Sequence, residues 1–244
     1  MKILEEILQG LKDEEVPVRR VLVGAFWTLV GSRRAGLAST FREDHPHEAP
    51  PVRQAGTLEG RPAGEVARLA LSDSLLEASI GMAAINSLLE VDEGKLKEQN
   101  AFGLLAEKGA GKDVAIVGHF PFVDELRKVA RRLFVLEQHP RQGDLPAHEA
   151  QEVLPRCQVI GITGTAFINH TLEGLLSLCP EDSFVMLIGP TTPLTPLLFD
   201  HGIAALSGSL VVDEGEALRY IAQGATFRQL HRHGIRLVTM TKDR

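Results

Sequence analysis

The sequence predicts an α/β protein in which a doubly wound, mostly parallel sheet fills the second half of the chain. Beyond about Asp113, short apolar segments alternate with segments of helical periodicity. The apolar segments are continuous, as expected of strands that are covered on both faces. Strands and helices that alternate in this way join through right-handed crossovers. Together these observations indicate a Rossmann-like domain.

The first half of the chain has a different order of elements. Its opening residues place Ile3, Leu4 and Ile7 at helical spacing, which predicts an amphipathic helix. Residues 18–41 are rich in β-branched and aromatic side chains and are interrupted by the turn-forming residues 31–34, which predicts a β-hairpin. Two helical segments follow, and the small side chains of the second predict that it is buried.

We expect the chain to form two domains. Domains most often have roughly 100–150 residues, and this sequence has 244. The predicted boundary gives residues 1–100 and residues 101–244, connected through the polar, glycine-bearing residues 93–111. Residues 42–56 are dense in proline and polar side chains, which predicts a long loop.

The composition disfavours several classes of function. The formal net charge of -6 argues against binding to nucleic acid, which depends on clustered Lys and Arg. No segment approaches the roughly 18 apolar residues of a membrane helix, and the N-terminus lacks the apolar core of a signal peptide. The two cysteines are too few for a disulfide framework. We therefore expect a cytoplasmic protein without nucleic-acid or membrane partners. A homodimer is one of the oligomeric states left open.

The loops at the carboxyl ends of the strands are the expected functional site, because ligands of open α/β sheets bind there. The first loop contains Gly118 and His119 but lacks the three-glycine dinucleotide fingerprint. Gly118 fits either close approach of a ligand or a tight turn. Glu137 ends the next strand about 20 residues later, the spacing at which an acid reaches a ribose. Ribose contact and a solvated carboxylate are the alternatives for Glu137.

Two later loops carry more polar groups. In residues 161–171, Thr163 or Thr165 can cap the following helix, whose free N–H groups would form an anion site. Residues 189–196 contain three prolines and two adjacent threonines, a rigid arrangement that favours a preorganised site. Residues 207–209 supply two serines and a glycine after the next apolar run and are expected to complete the rim of the site.

The spacing of the histidines and cysteines does not indicate a metal site. Two His-x-His pairs, at residues 45–47 and 231–233, lack companion cysteines and helical spacing. The predicted topology places Cys157 and Cys179 at the opposite edge of the sheet, as buried structural thiols. His119 and His170 lie nearer the site and are the metal candidates, although each alone favours a hydrogen-bonding role.

No catalytic residue can be assigned from the pattern. The sequence lacks a serine elbow, paired carboxylates at a readable spacing and a nucleophilic cysteine with a placed base. His119 and Glu137 would form an acid/base pair only if the fold brings them together.

Three segments, IGMAAINSLLE, GTAFINHTLEGLL and GPTTPLTPLLFDHGIAALSGSLVVD, resemble a prokaryotic family of unknown function described as "putative heavy-metal chelation". The resemblance covers essentially the whole chain. It implies an α+β, enolase N-terminal-like domain followed by the Rossmann-like domain, with the site at their interface.

The resemblance also implies which residues bind the ligand. The matching positions of the Rossmann-like part are Gly164, Thr165, Asn169, Gly189, Pro190, Thr191 and Thr192. The residues opposite them are Asn86, Trp27 and Thr28, and Asn86 fits a satisfied core amide equally well. These residue types suit an anionic or nucleotide-like organic ligand better than a soft metal ion.

Three hypotheses follow. The first is a protein, binding or enzymatic, for a small polar or anionic metabolite or a metal chelate held between the domains. The second is a protein that handles a heavy or transition metal through crevice histidines. The third is a transferase or oxidoreductase that uses a nucleotide cofactor such as S-adenosylmethionine or NAD, with Glu137 as the discriminating residue.

Overall fold

The structure is a computed structural model that describes residues 1–42, 50–99 and 101–242. The predicted His-x-His pair at residues 45–47 lies outside the described residues. The helices are α1 Lys2–Gln9, α2 Ala63–Ala67, α3 Leu75–Leu88, α4 Ala101–Gly109, α5 Val123–Arg127, α6 Ala150–Val153, α7 Leu172–Leu176, α8 Glu214–Ala222 and α9 Phe227–Leu230. The strands are β1 Arg20–Val23, β2 Trp27–Gly31, β3 Ala35–Ser39, β4 Leu96–Lys97, β5 Asp113–Val117, β6 Arg132–Glu137, β7 Leu145–Pro146, β8 Val159–Thr163, β9 Phe184–Ile188, β10 Ile203–Val211 and β11 Ile235–Thr241.

The described residues form one large sheet and one small sheet. The large sheet has the strand order β4-β11-β10-β9-β8-β5-β6-β7. The strands from β10 to β7 pair in parallel, whereas β11 pairs antiparallel with β10 and with β4. The small sheet is antiparallel, in the order β1-β2-β3. The predicted α/β class with a mostly parallel sheet is therefore confirmed.

The predicted hairpin was wrong in its number of strands, because residues 18–30 fold into two strands rather than one. The backbone N–H of Gly24 donates to the Trp27 carbonyl at 2.8 Å and closes a turn between β1 and β2. A Cβ at position 24 would lie only 2.6 Å from Ile221 Cγ2. Only glycine can lie this close to α8. The turn at Gly24 therefore divides a segment that otherwise has the pattern of one strand.

Residues 93–111, the predicted connection between the domains, contain regular secondary structure. They contain β4 and α4, and β4 pairs with the last strand, with Leu96 opposite Met240. Two residues are too few to show a strand period in a sequence. The division into residues 1–100 and 101–244 stays a prediction.

The segment after β8 also differs from the predicted helix. It begins as a 3₁₀ helix at Gly164–Phe167, and His170, with φ of 56°, separates that turn from α7. A short 3₁₀ turn does not provide the helix N-terminal anion site that was expected at Thr163 or Thr165.

Residues 207–209 lie within β10 and do not form a separate loop. Ser207 pairs with Ile188 at the end of β9, and β10 then continues alongside β11. The antiparallel partner therefore extends the strand beyond its parallel neighbour.

Helix α3 is buried, as its small side chains predicted. A Cβ at Gly81 would lie 1.9 Å from the Ala70 nitrogen, and one at Gly36 would lie 2.1 Å from the Ala83 carbonyl oxygen. Glycine at these positions allows the 3₁₀ helix Arg68–Leu71 and strand β3 to contact opposite sides of α3. In the part of the chain that the structure describes, no helix is long and apolar enough to cross a membrane.

Candidate functional site

The small sheet docks against the carboxyl end of the large sheet through Thr191, which is 1% exposed. The Ser39 N–H donates to Thr191 Oγ1 at 3.0 Å, and that hydroxyl donates to Ser39 Oγ at 3.2 Å. Asn86 Nδ2 donates to the carbonyls of Leu37 at 2.9 Å and Thr191 at 3.2 Å. Thr191 and Asn86, both predicted as ligand contacts, thus hold the two halves together.

A cavity of about 550 Å³ lies where the two sheets meet. The sequence has ten phenylalanines, one tryptophan and one tyrosine, and five of these rings line this cavity. They are Trp27, Phe102, Phe120, Phe122 and Phe227. Trp27 packs on Phe227 with ring centroids 5.5 Å apart, and Phe120 stacks on Phe122 at 5.2 Å with an interplanar angle of 10°. Aromatic rings therefore form a substantial part of the wall.

A second cavity of about 340 Å³ adjoins the first at the ends of β5, β6 and β8. Gly118, Glu137 and Asn169 line it. Both cavities share four residues: His119, Phe120, Thr163 and Thr165. The loops after β5 and β8 therefore form a common wall between the two spaces.

Two acidic residues fix His119 in this common wall. Its backbone N–H donates to Glu137 Oε1 at 2.8 Å. Its ring Nδ1 lies 3.0 Å from Asp144 Oδ2 and 3.2 Å from Oδ1. The fold thus brings His119 and Glu137 together, but Glu137 contacts the backbone and Asp144 contacts the imidazole.

Glu137 has a structural role at the end of β6. Its second oxygen, Oε2, accepts the Gln138 N–H at 3.0 Å, so each carboxylate oxygen binds a backbone donor. Gly118, between β5 and His119, adopts φ of 103°, a conformation that glycine allows. Together these contacts shape the first strand-end loop.

The loops after β8 and β9 meet each other closely. A Cβ at Gly164 would lie 2.6 Å from Thr192 Oγ1, so Gly164 is required for packing. Thr192 Oγ1 is buried and has no described hydrogen-bond partner. Gly189, with φ of 113°, and Pro190 line the larger cavity.

The hydroxyls of the β8 loop bond to each other at the shared wall. Thr163 Oγ1 and Thr165 Oγ1 are 3.0 Å apart, and the Thr165 N–H donates to Thr163 Oγ1 at 3.3 Å. Asn169 Oδ1 accepts from the Thr171 hydroxyl at 2.7 Å. Thr165 and Asn169 therefore line the cavities while also stabilising their own loop.

Five of the predicted residues line neither of these cavities: Asn86, Gly164, Thr192, Thr28 and His170. Thr28 is buried and shares a hydrogen bond of 2.9 Å with the Thr40 hydroxyl. His170 Nε2 donates to the Ala70 carbonyl at 2.9 Å, which links the β8 loop to the 3₁₀ helix Arg68–Leu71.

The charge around the cavities is sparse. Among the described residues that line them, none is Lys or Arg, and the acidic groups are Glu125 and Glu137. The described ranges contain no group of three His, Cys, Asp or Glu side chains able to hold a metal ion.

Burial raises the pKa of Cys157 and of Cys179 to about 11, which keeps both thiols protonated at neutral pH.

Sequence reasoning found Trp27 but missed the four phenylalanines of the larger cavity and Asp144. Phe120 and Phe122 directly follow His119, so their position in a strand-end loop was a usable signal. Phe102 and Phe227 lie on helices far apart in the chain, and only the tertiary fold brings them to one cavity. Asp144 lies in a polar stretch that resembles any exposed turn.

The comparisons with known proteins agree with this fold. Two family models match, both described as "putative heavy-metal chelation": DUF4213 over residues 4–89 and DUF364 over residues 100–240. An uncharacterised protein of Methanocaldococcus jannaschii is 28% identical over 164 residues, which are 64% of this chain and 63% of that protein. The chain thus matches less than two thirds of the length of this curated relative.

Two crystal structures are similar over almost the whole chain. A DUF364-family protein of unknown function from Desulfitobacterium hafniense has a TM-score of 0.85 at 28% identity, covering 99% of this chain and 98% of that one. A DUF364-family protein of unknown function from Pyrococcus horikoshii has a TM-score of 0.80 at 20% identity with the same coverage, which shows a shared fold. The resemblance seen in the sequence is confirmed, and because the DUF364 model spans more than half of its residues, the chain belongs to the DUF364 family, described as "putative heavy-metal chelation".

Proposed function

We propose that this protein binds a small planar organic molecule, either free or as a metal chelate, in the two adjoining cavities between the small and the large sheet. The aromatic wall of the larger cavity is the observation that carries the proposal. Ligand sites are mostly apolar clefts of about 300–1,000 Å³ with a few placed polar groups, and the larger cavity, of about 550 Å³, falls in that range.

The stacking surfaces support a planar ligand. Aromatic rings interact best with other π-systems in offset-stacked or edge-to-face geometry. The Trp27 and Phe227 rings stand on one part of the wall, and the stacked Phe120 and Phe122 rings stand on another. A planar ring that packs against either pair loses part of its hydration shell there.

The polar groups support a ligand with few charges. The larger cavity offers Ser39, Thr165 and Ser207 as hydroxyl groups. An anionic metabolite would have to rely on such neutral donors, because no described lining residue is Lys or Arg. A metal would therefore arrive already held by its organic chelator, which is consistent with the absence of a three-ligand side-chain group from the described residues.

The test compares two partly buried phenylalanines. Phe120 lines both cavities, whereas Phe134 lies on β6, outside the residues that line them. Small molecules released by denaturing the wild-type protein, Phe120→Ala and Phe134→Ala are identified by mass spectrometry, together with metals in the same fractions. We expect a compound with an aromatic or conjugated ring in the wild type and in Phe134→Ala, and much less of it in Phe120→Ala.

Equal retention by both variants would show that the compound binds elsewhere. A metal that remains with the protein after every organic compound has been removed would favour direct metal binding over binding of a chelate.

A further inference from the structure

We propose that His119 is the general base of a proton-transfer reaction in these cavities, with Asp144 as its positioning residue. The proposal rests on the proposed function, because the proton donor would be the molecule bound there. It makes the protein an enzyme rather than only a carrier.

The first support is the position of His119 in the wall shared by the two cavities. A group in that place can contact a molecule that occupies either space. The side chain is 24% exposed, which leaves part of the ring open to a ligand.

The second support is the contact between the imidazole and Asp144. A carboxylate only accepts hydrogen bonds, so Nδ1 carries the proton that is donated over 3.0 Å to Asp144 Oδ2. Nε2 is then the unprotonated ring nitrogen of neutral His119, and no described residue bonds to it. This is the arrangement in which a carboxylate holds an imidazole as a proton acceptor.

The third support is the setting of Asp144 itself. Its side chain is 2% exposed, far less than expected for a solvated turn aspartate. The Arg141 N–H donates to Asp144 Oδ2 at 3.1 Å, and the Asp144 N–H donates to the Arg141 carbonyl at 3.0 Å. The loop before β7 therefore holds the carboxylate in place against the ring.

The proposed step is a simple proton transfer. An X–H bond of the bound molecule breaks, its electron pair stays on X, and a new N–H bond forms at His119 Nε2. The resulting imidazolium is stabilised by the Asp144 carboxylate. The other titratable groups facing this position are Glu137 and His139 in the smaller cavity and Glu125 in the larger one.

The test uses diethyl pyrocarbonate, which acylates an unprotonated imidazole nitrogen. Protein shown by mass spectrometry to be free of small molecules is treated at one fixed, mildly alkaline pH, and acylation of each histidine is followed in peptides. We expect His119 to react in the wild type and to react at least about tenfold more slowly in Asp144→Asn, because the amide no longer holds the ring in the tautomer with its proton on Nδ1. The exposed His148, which lines neither cavity, is the internal control whose rate stays unchanged.

Nitrogen-15 NMR on the same two proteins gives the tautomer directly. A neutral His119 with its proton on Nδ1 in the wild type supports the proposal. A proton on Nε2, no acylation of His119, or equal His119 rates in the wild type and Asp144→Asn would each overturn it. Both measurements need no ligand, so they can fail while the binding proposal holds, and the reverse is also possible.

Discussion

The Ser39 N–H donates to the Thr191 hydroxyl across the junction of the two sheets, at 3.0 Å. Thr191→Val keeps the shape of the side chain but removes this acceptor. A buried donor left without a partner costs about 1–3 kcal/mol. We expect the free energy of unfolding to fall by about that amount, measured by urea denaturation.

The neighbouring Thr192 provides a matched control. It is also buried, but its hydroxyl has no described partner. Thr192→Val should therefore leave the stability unchanged or raise it. Equal losses in both variants would mean that the Ser39 contact does not stabilise the junction.

Glu137 is expected to stabilise the protein even without a ligand. An amide in its place has one oxygen acceptor, so Glu137→Gln leaves either the His119 N–H or the Gln138 N–H without an acceptor. Thermal denaturation should show a lower Tm for this variant.

We also expect no thermal shift of the wild type with NAD or S-adenosylmethionine, because both carboxylate oxygens of Glu137 already accept hydrogen bonds from backbone N–H groups. A clear shift that disappears in Glu137→Gln would instead support ribose binding.

We expect the ion pairs of Asp113 to make the free energy of unfolding depend on pH. Its side chain is 2% exposed and binds Arg132 and Arg131. Hydrogen bonds from Arg132 and then Arg131 hold the pKa of Asp113 well below its ordinary value. The carboxylate is therefore stabilising above its unfolded-state pKa of about 3.9, and this contribution is lost as pH falls towards the folded-state value.

Asp113→Asn should lower the stability at neutral pH, and the gap to the wild type should narrow in acid. Denaturant titrations at several pH values check this. The exposed Asp124 on α5 supplies the control, since Asp124→Asn should follow the wild-type curve. If the difference in the free energy of unfolding between the two proteins stayed constant down to acid pH, the charge of Asp113 would not be what stabilises the fold.

Trp27 is the single tryptophan of the sequence, so its fluorescence reports on the larger cavity. Phe227 packs against it with ring centroids 5.5 Å apart. Phe227→Ala should expose the indole, which would shift its emission to longer wavelength and increase quenching by acrylamide. Phe134→Ala should change neither quantity. An unchanged spectrum in Phe227→Ala would show that the ring pair does not form in solution.

The sequence predicted the fold where one local pattern dominates. Strands β5, β8 and β9 are short, mostly apolar runs, a pattern that is typical of buried strands. The errors arose where a tertiary contact decides the outcome. Gly24 breaks a strand-like run because α8 lies against it, and β4 is a strand only because β11 lies beside it.

The candidate site was only partly predictable for the same reason. The rule that ligands bind at the carboxyl ends of parallel strands led to Gly118, His119 and Gly189, which line the cavities. That rule cannot separate a residue that faces the cavity from one, such as Gly164 or Thr192, that packs against the neighbouring loop and lines neither cavity. The rings of Phe102 and Phe227 reach the cavity from helices, which no strand-end rule includes.

A crystal structure of the protein as purified, with electron density examined in both cavities, would show directly whether a ligand lies between the two sheets. We expect a planar organic molecule against the Phe120 and Trp27 rings, within hydrogen-bonding distance of His119. The proposal would be wrong if both cavities contained only water while an organic ligand or a metal ion was bound elsewhere on the chain.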